Sequence, residues 1–121
     1  MIYDPSAKAG SRITTPVSQL DLLPTLLNLL GFEAKGGSLP GKLLWEASPE
    51  RTLYAHCWYE LGCMAAIKND AKYIEHFGRK NNEFYDLQTD RAESVNLHNQ
   101  LDQSEIDQWK AELFRVRIVG F

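Results

Sequence analysis

The sequence predicts an α+β fold: a four-stranded antiparallel sheet packed by a C-terminal helix and preceded by a buried apolar helix. Three observations predict it. The runs RTLYAHCWYE, CMAAIKN, AKYIEHF and NEFYDL follow one another with turn-forming residues between them. Ile106, Trp109, Leu113 and Val116 recur at spacings of three, four and three, which is one helical stripe. LLPTLLNLLG is leucine-rich around nearly the whole helix circumference, and such a helix must be covered on more than one side.

Taken along the chain, Met1–Tyr3 reads as a strand stub. A loop marked by Asp4-Pro5 and Gly10 follows, with a brief extension at Arg12–Thr14. Asp21 is a suitable N-cap for the apolar helix. Pro24 falls in its first turn, where a missing N–H costs nothing, and Gly31 ends it. Leu22, Leu23, Leu26, Leu27, Leu29 and Leu30 are more apolar surface than so short a chain can enclose, so a larger body is expected to cover them. Residues 35–49 read as loop, with one helical turn near Leu43–Trp45.

The four β-runs are joined at Leu61-Gly62, Asn69-Asp70 and Gly78–Asn81, so an antiparallel meander is the economical topology. In AKYIEHF, Tyr73, Glu75 and Phe77 alternate with Lys72, Ile74 and His76, and neither face is cleanly apolar. The last helix is expected over 104–117. Ser104 and Asp107 form a capping-box pattern at its start, and Glu105, Lys110, Glu112 and Arg115 lie off the apolar stripe.

Composition narrows the function classes. The 121 residues are 44% apolar and 24% charged with a net charge of −3, an ordinary globular balance for one domain or part of one. No Lys/Arg cluster with interleaved aromatics appears, which argues against nucleic acid. No apolar run reaches the ~18 residues of a membrane span. MIYDPSAKAG lacks the basic start and apolar middle of a signal peptide, so the compartment is not legible. Cys57 and Cys63 fit neither a zinc knuckle nor C-x-x-C. Across a hairpin they could bond, but their preferred reading is as two half-buried thiols.

A self-contained active site does not emerge. His56, His76 and His98 have no local ligand spacing, neither cysteine has a basic neighbour to lower its pKa, and Gly41-Lys42 is followed by Leu43 where a phosphate loop needs Ser or Thr. The densest polar cluster is EFYDLQTDRAESVNL. Asp86, Asp90, Glu93 and Asn96 form an acceptable calcium donor set, yet the spacing is not that of a calcium loop and no glycine supplies its turn. The preferred reading is structural. Asp86 and Asp90 accept backbone N–H bonds in successive turns, Asp90 caps a short helical turn over 91–94, and Asn96 closes it.

The stretch NEFYDLQTDRAESVNL resembles the closing signature of the sulfatase family, E-L-Y-D-L-x-x-D-P-x-E-x-x-N-L. Asp86, Leu87, Asp90, Glu93, Asn96 and Leu97 match, whereas Phe84 replaces Leu and Arg91 replaces Pro. PVSQLDLLPTLLNLLG is similar to the family's V-S-x-x-D-[LI]-x-P-T-[LI]-L-x-L-x-G segment. Gly37-Ser38-Leu39 resembles its G-x-S-L linker, and AAIKNDAKYI its strand pair ending in K-Y. These motifs stand in the family's order.

The resemblance implies a C-terminal portion of a sulfatase-family protein, in the alkaline phosphatase superfamily. Residues 1–45 would be the tail of the large α/β domain, and 46–121 the C-terminal subdomain. The family nucleophile lies in C/S-x-P-x-R. Cys57 is followed by Trp-Tyr and Cys63 by Met-Ala, so no catalytic residue and no metal ligand is expected here. The expected cofactor, a divalent cation such as calcium, would belong to the parent. The expected partner is the N-terminal sulfatase domain, with self-association through helix 21–30 in its absence. His56 and Trp58 are the candidates for substrate-pocket contacts, against the alternative that both only pack in the sheet. Asp21, Asp86, Asp90, Glu93 and Asn96 are expected to be structural. Two alternatives stay open: a phosphoglycerol or phosphoethanolamine transferase of the same superfamily, and a free-standing interaction module.

Overall fold

The computed structural model describes Gly10, residues 12–57 and residues 62–119, with side chains as far as Val116. The strand stub expected at Met1–Tyr3 lies outside the described residues. Two compact units divide after Ser48.

In the first unit a 3₁₀ turn, Gln19–Asp21, leads into α1, Leu22–Leu29. Winding thus starts earlier than the sequence suggests, and the cap moves with it. Ser18 Oγ accepts from Leu20 N at 3.3 Å, and Asp21 Oδ2 accepts from Ser18 N at 2.8 Å. The two side chains satisfy each other's backbone in a capping box, so Asp21 makes no side-chain cap on α1 itself. At the far end Gly31 adopts φ 72°, with Phe32 N bonded to Leu27 O and Gly31 N to Asn28 O, the paired bonds of a Schellman stop.

The enclosed side of α1 is polar. Thr25 is fully buried; its hydroxyl donates to Asp21 O at 2.6 Å and accepts from Leu44 N at 3.0 Å. Asp21, 1% exposed, takes Lys42 N on Oδ1 at 2.8 Å. A Cβ on Gly41 would collide with the Leu20 carbonyl, so only glycine lets residues 41–44 pass this close. Leu22, Leu23, Leu26, Leu29 and Leu30 remain 43–68% exposed. Among the described residues they lack the cover that so apolar a helix requires.

The second unit is a meander of β1 (Leu53–His56), β2 (Met64–Lys68), β3 (Ala71–Glu75) and β4 (Glu83–Asp86), antiparallel throughout and in sequence order. The β2–β3 connection is the two residues Asn69 and Asp70 at φ 50° and 62°, the mirror-image turn that suits the twist of a hairpin. The register fixes which side chains share a face. Tyr54, Ala66, Tyr73 and Phe84 form one row, and Met64 pairs with Glu75 in the next.

Helix α2, Gln103–Val119, contributes Leu113, Trp109 and Val116 to this row. Tyr73 and Leu113 are at most 1% exposed, and the Tyr73 and Trp109 rings stack with centroids 6.0 Å apart. The capping box of α2 is Asp102 with Glu105 rather than Ser104 with Asp107. Glu105 N donates to Asp102 Oδ1 at 2.8 Å, and Asp102 N to Glu105 Oε2 at 3.0 Å. Because the helix starts at Gln103, Ser104 and Asp107 are already inside it.

The reading of Cys57 and Cys63 as thiols is corrected by the structure, which joins them in a disulfide with Cα atoms 5.3 Å apart. One step beyond the His56–Met64 pair the antiparallel ladder sets them opposite each other, with Cys57 N donating to Cys63 O at 3.2 Å. The hairpin geometry that made bonding possible is the geometry formed.

Leu113→Ala removes the helix side chain that seals the core beside Tyr73, and is expected to cost about 3 kcal/mol, the range for a buried leucine truncation. Urea unfolding of the two proteins side by side measures it; a loss below 1 kcal/mol would contradict this core assignment.

Candidate functional site

The cluster following β4 spends its polar groups on its own backbone. Asp86 accepts from Gln88 N and from the Thr89 hydroxyl, both at 2.9 Å. These bonds, the Thr89 hydroxyl first, hold its carboxyl below the usual range. Asp90 Oδ2 accepts from Ser94 N at 2.7 Å and Val95 N at 2.9 Å. The helical turn expected over 91–94 does not form. Glu93 sits at φ 55°, a left-handed conformation that ends αR winding, and the chain makes an open turn around the Asp90 carboxylate. Glu93 itself reaches across to Lys72 at 2.6 Å.

Asn96 completes the sheet. Its Oδ1 accepts from Phe84 N at 3.0 Å and His98 N at 2.9 Å, and its Nδ2 donates to Asn82 O at 3.1 Å. Leu97 N bonds to Phe84 O at 2.8 Å. One amide side chain and one peptide thus cover the outer edge of β4, which would otherwise expose unpaired groups.

Asp86 has both oxygens hydrogen-bonded, Asp90 Oδ2 and Asn96 Oδ1 each hold two backbone N–H groups, and Glu93 is paired with an ammonium. A divalent cation would have to compete with these partners. Among the described residues no three His, Cys, Asp or Glu side chains gather as a metal-holding group.

His56 is exposed at the end of β1, in register with Met64. Trp58 lies outside the described residues. The structure therefore locates one of the two pocket candidates and does not report on their meeting.

A polar network that the sequence did not single out runs through β3 and β4. Tyr73 O–H donates to Glu75 Oε2 at 2.8 Å, and Asn82 Nδ2 donates to both Glu75 Oε2 at 2.8 Å and Tyr73 Oη at 3.1 Å. Asn82 Oδ1 accepts from His76 N, and Glu75 Oε1 from Phe77 N. On the opposite face His76 Nε2 lies 2.7 Å from Glu83 Oε1, while Tyr85 O–H donates to Glu83 Oε2 at 2.6 Å. The Tyr85 bond, joined by His76, holds the Glu83 carboxyl below its ordinary range. Glu75 and His76 are both under 9% exposed, and the mixed alternation of AKYIEHF was the signal of them.

The phenols follow the same physics. Burial, with the 2.5 Å bond to Glu112, pushes Tyr54 up to about 12, and the bond to Glu83, then burial, pushes Tyr85 up to about 12. Tyr73 is raised further, by burial and then by Glu75. A raised phenol favours the folded state fully below its unfolded value of 10.0, and the contribution is lost as pH climbs from there through about 12. In a spectrophotometric titration Tyr54, Tyr73 and Tyr85 are therefore expected to stay protonated at pH 11 in the native protein and to ionise on unfolding. Three ordinary titrations near pH 10 would contradict the network. Calcium is expected to leave the melting temperature unchanged; a rise of several degrees at millimolar calcium would restore the metal reading of residues 86–96.

Comparison with known proteins adds a structural likeness. No family profile and no curated protein matches the chain. Solved structures do. BT1596, a 2-O GAG sulfatase, shares 26% identity at a TM-score of 0.53 over 82% of this chain and 24% of its own. A protein from Bacteroides thetaiotaomicron assigned as a sulfatase gives 26% and 0.54 over the same shares. BT4656, solved with its substrate D-glucosamine-2-N,6-O-disulfate, gives 19% and 0.54 over 79% of this chain and 22% of its own. The chain thus spans under a quarter of the length of the structures it matches. Over about four-fifths of its own residues it has the fold of part of a sulfatase, and with the closing signature at residues 83–97 it resembles the C-terminal portion of a sulfatase-family protein.

Proposed function

We propose that this chain is the non-catalytic C-terminal part of a sulfuric ester hydrolase and shapes the mouth of the parent's active site. The observation that carries this is the sulfatase likeness joined to a signature turn whose Asp90, Glu93 and Asn96 side chains are engaged with backbone or lysine. The nucleophile and the divalent cation, calcium by the family's habit, belong to the parent's larger N-terminal domain. Residues 1–45 are the tail of that domain and 46–121 the subdomain beside it. The open leucine face of α1 supports this division, since residues 43–68% exposed here are what a buried helix leaves behind when its surroundings are removed. His56, exposed at the end of β1, is in this reading a contact for the substrate rather than for the reacting sulfur, with Trp58 as its companion.

The chain by itself is expected not to hydrolyse an aryl sulfate with or without calcium. Appreciable turnover would place the chemistry in these residues and overturn the reading. In the full-length parent, His56→Ala is expected to raise KM for its sulfate ester by roughly tenfold while kcat stays within about twofold, the pattern of lost ground-state contact. Should the parent instead transfer phosphoglycerol or phosphoethanolamine, the same assay with a phosphodiester donor reveals it. Sedimentation of the isolated chain is expected to show concentration-dependent association through α1; a monomer at all concentrations would mean the leucine face needs no cover.

A further inference from the structure

We infer that the Cys57–Cys63 bond is a permanent staple of the working protein, that the chain therefore matures in an oxidising compartment, and that the bond closes the loop end of the β1–β2 hairpin. This goes beyond the sulfatase reading and does not depend on it.

Both of the chain's cysteines are used, and no free thiol remains to resolve or exchange the bond. A catalytic or sensing disulfide is exposed to its redox partners. Here Cys63 is 6% exposed, and Cys57 is half-buried. The pair sits within the ladder, opposed across antiparallel strands and sharing the Cys57 N to Cys63 O bond, with Cα atoms at an ordinary disulfide separation of 5.3 Å. The Arg79 side chain lies against the backbone of Gly62, so closely that a Cβ there would stand 2.7 Å from its guanidinium. Arg79, from the turn after β3, thus lies beside the backbone that leads into Cys63. Glutathione keeps most thiols reduced in the cytosol, and an enclosed structural pair of this kind belongs to exported chains.

The staple also has a mechanical task. β1 is an edge strand of four paired residues, bonded to β2 alone within the sheet. Its start is tied to α2 through Tyr54 and Glu112. At its far end, beyond the His56–Met64 pair, the disulfide pins the two ends of the loop that joins β1 to β2. Without it, the residues nearest His56 would fray while the centre of the sheet held.

The test uses the full-length protein, made once with export to an oxidising compartment and once in a reducing cytosol. Alkylation under denaturing, non-reducing conditions is expected to find Cys57 and Cys63 unmodified in exported protein, and two labelled cysteines after reduction. Two labelled cysteines in exported protein without reductant would overturn the inference. Hydrogen exchange is then followed before and after reduction. Amides of residues 55–57 and 63–65 are expected to exchange roughly tenfold faster or more on reduction, with Ala71–Glu75 unchanged. The double variant Cys57→Ala with Cys63→Ala is expected to match the reduced protein. Protection at 55–57 that survives reduction, or a variant indistinguishable from the oxidised protein, would refute the staple. If the variant fails to fold, the reduction experiment still decides.

Discussion

The second unit is organised by the requirement of one buried phenol. Tyr73 lies at the centre of the sheet with no exposed surface and its ring stacked on Trp109. Its body supplies apolar contact, but its hydroxyl must find partners or cost about as much as an unmade buried hydrogen bond. Glu75 and Asn82 supply them. That choice commits the turn between β3 and β4, because Asn82 also accepts the His76 N–H, and its carbonyl accepts from Asn96. Asn96 then fixes the edge of β4 through Phe84. A chain of hydrogen bonds thus leads from the core to the signature turn. Both asparagine amides are used at each end, which fixes their orientation by partners on both sides.

This connection explains why so carboxylate-rich a stretch as residues 83–97 is structural. The sheet ends at β4, and an unpaired strand edge is a liability. The turn brings the chain back antiparallel to β4 at Asn96 and Leu97, while Asp86 and Asp90 satisfy the peptide groups that the reversal leaves without ladder partners. Asn96 matters more to this fold than its exposure suggests, since it replaces a missing strand.

Much of the architecture was legible in the sequence because its elements are short and locally punctuated. Asn69-Asp70 fixed a hairpin, Gly31 a helix stop, and the Ile106–Val116 stripe the packing face of α2. Cap positions were less legible. At both helices two acceptable cap residues lie within three positions of each other, and the choice between them rests on where winding begins. Thr25 reads as filler in a leucine run, yet its hydroxyl joins α1 to Leu44 across nineteen positions. The disulfide depended on a register that two cysteines alone do not specify. At the candidate site, composition and pattern exposed the polar cluster and argued against a metal loop; the partners of each oxygen needed the fold.

Asn82 also sets a chemical clock. Hydrolysis of its side-chain amide, the ordinary ageing reaction of asparagine, would exchange two donors for a carboxylate. The new charge would lie where Nδ2 now stands 2.8 Å from Glu75 and 3.1 Å from the Tyr73 oxygen. Two carboxylates at that spacing, one of them buried, cannot both remain ionised without cost, so one would take up a proton or the turn would open. Ageing at this single position would therefore act on the core through charge, and the strand edge held by Asn96 would loosen with it.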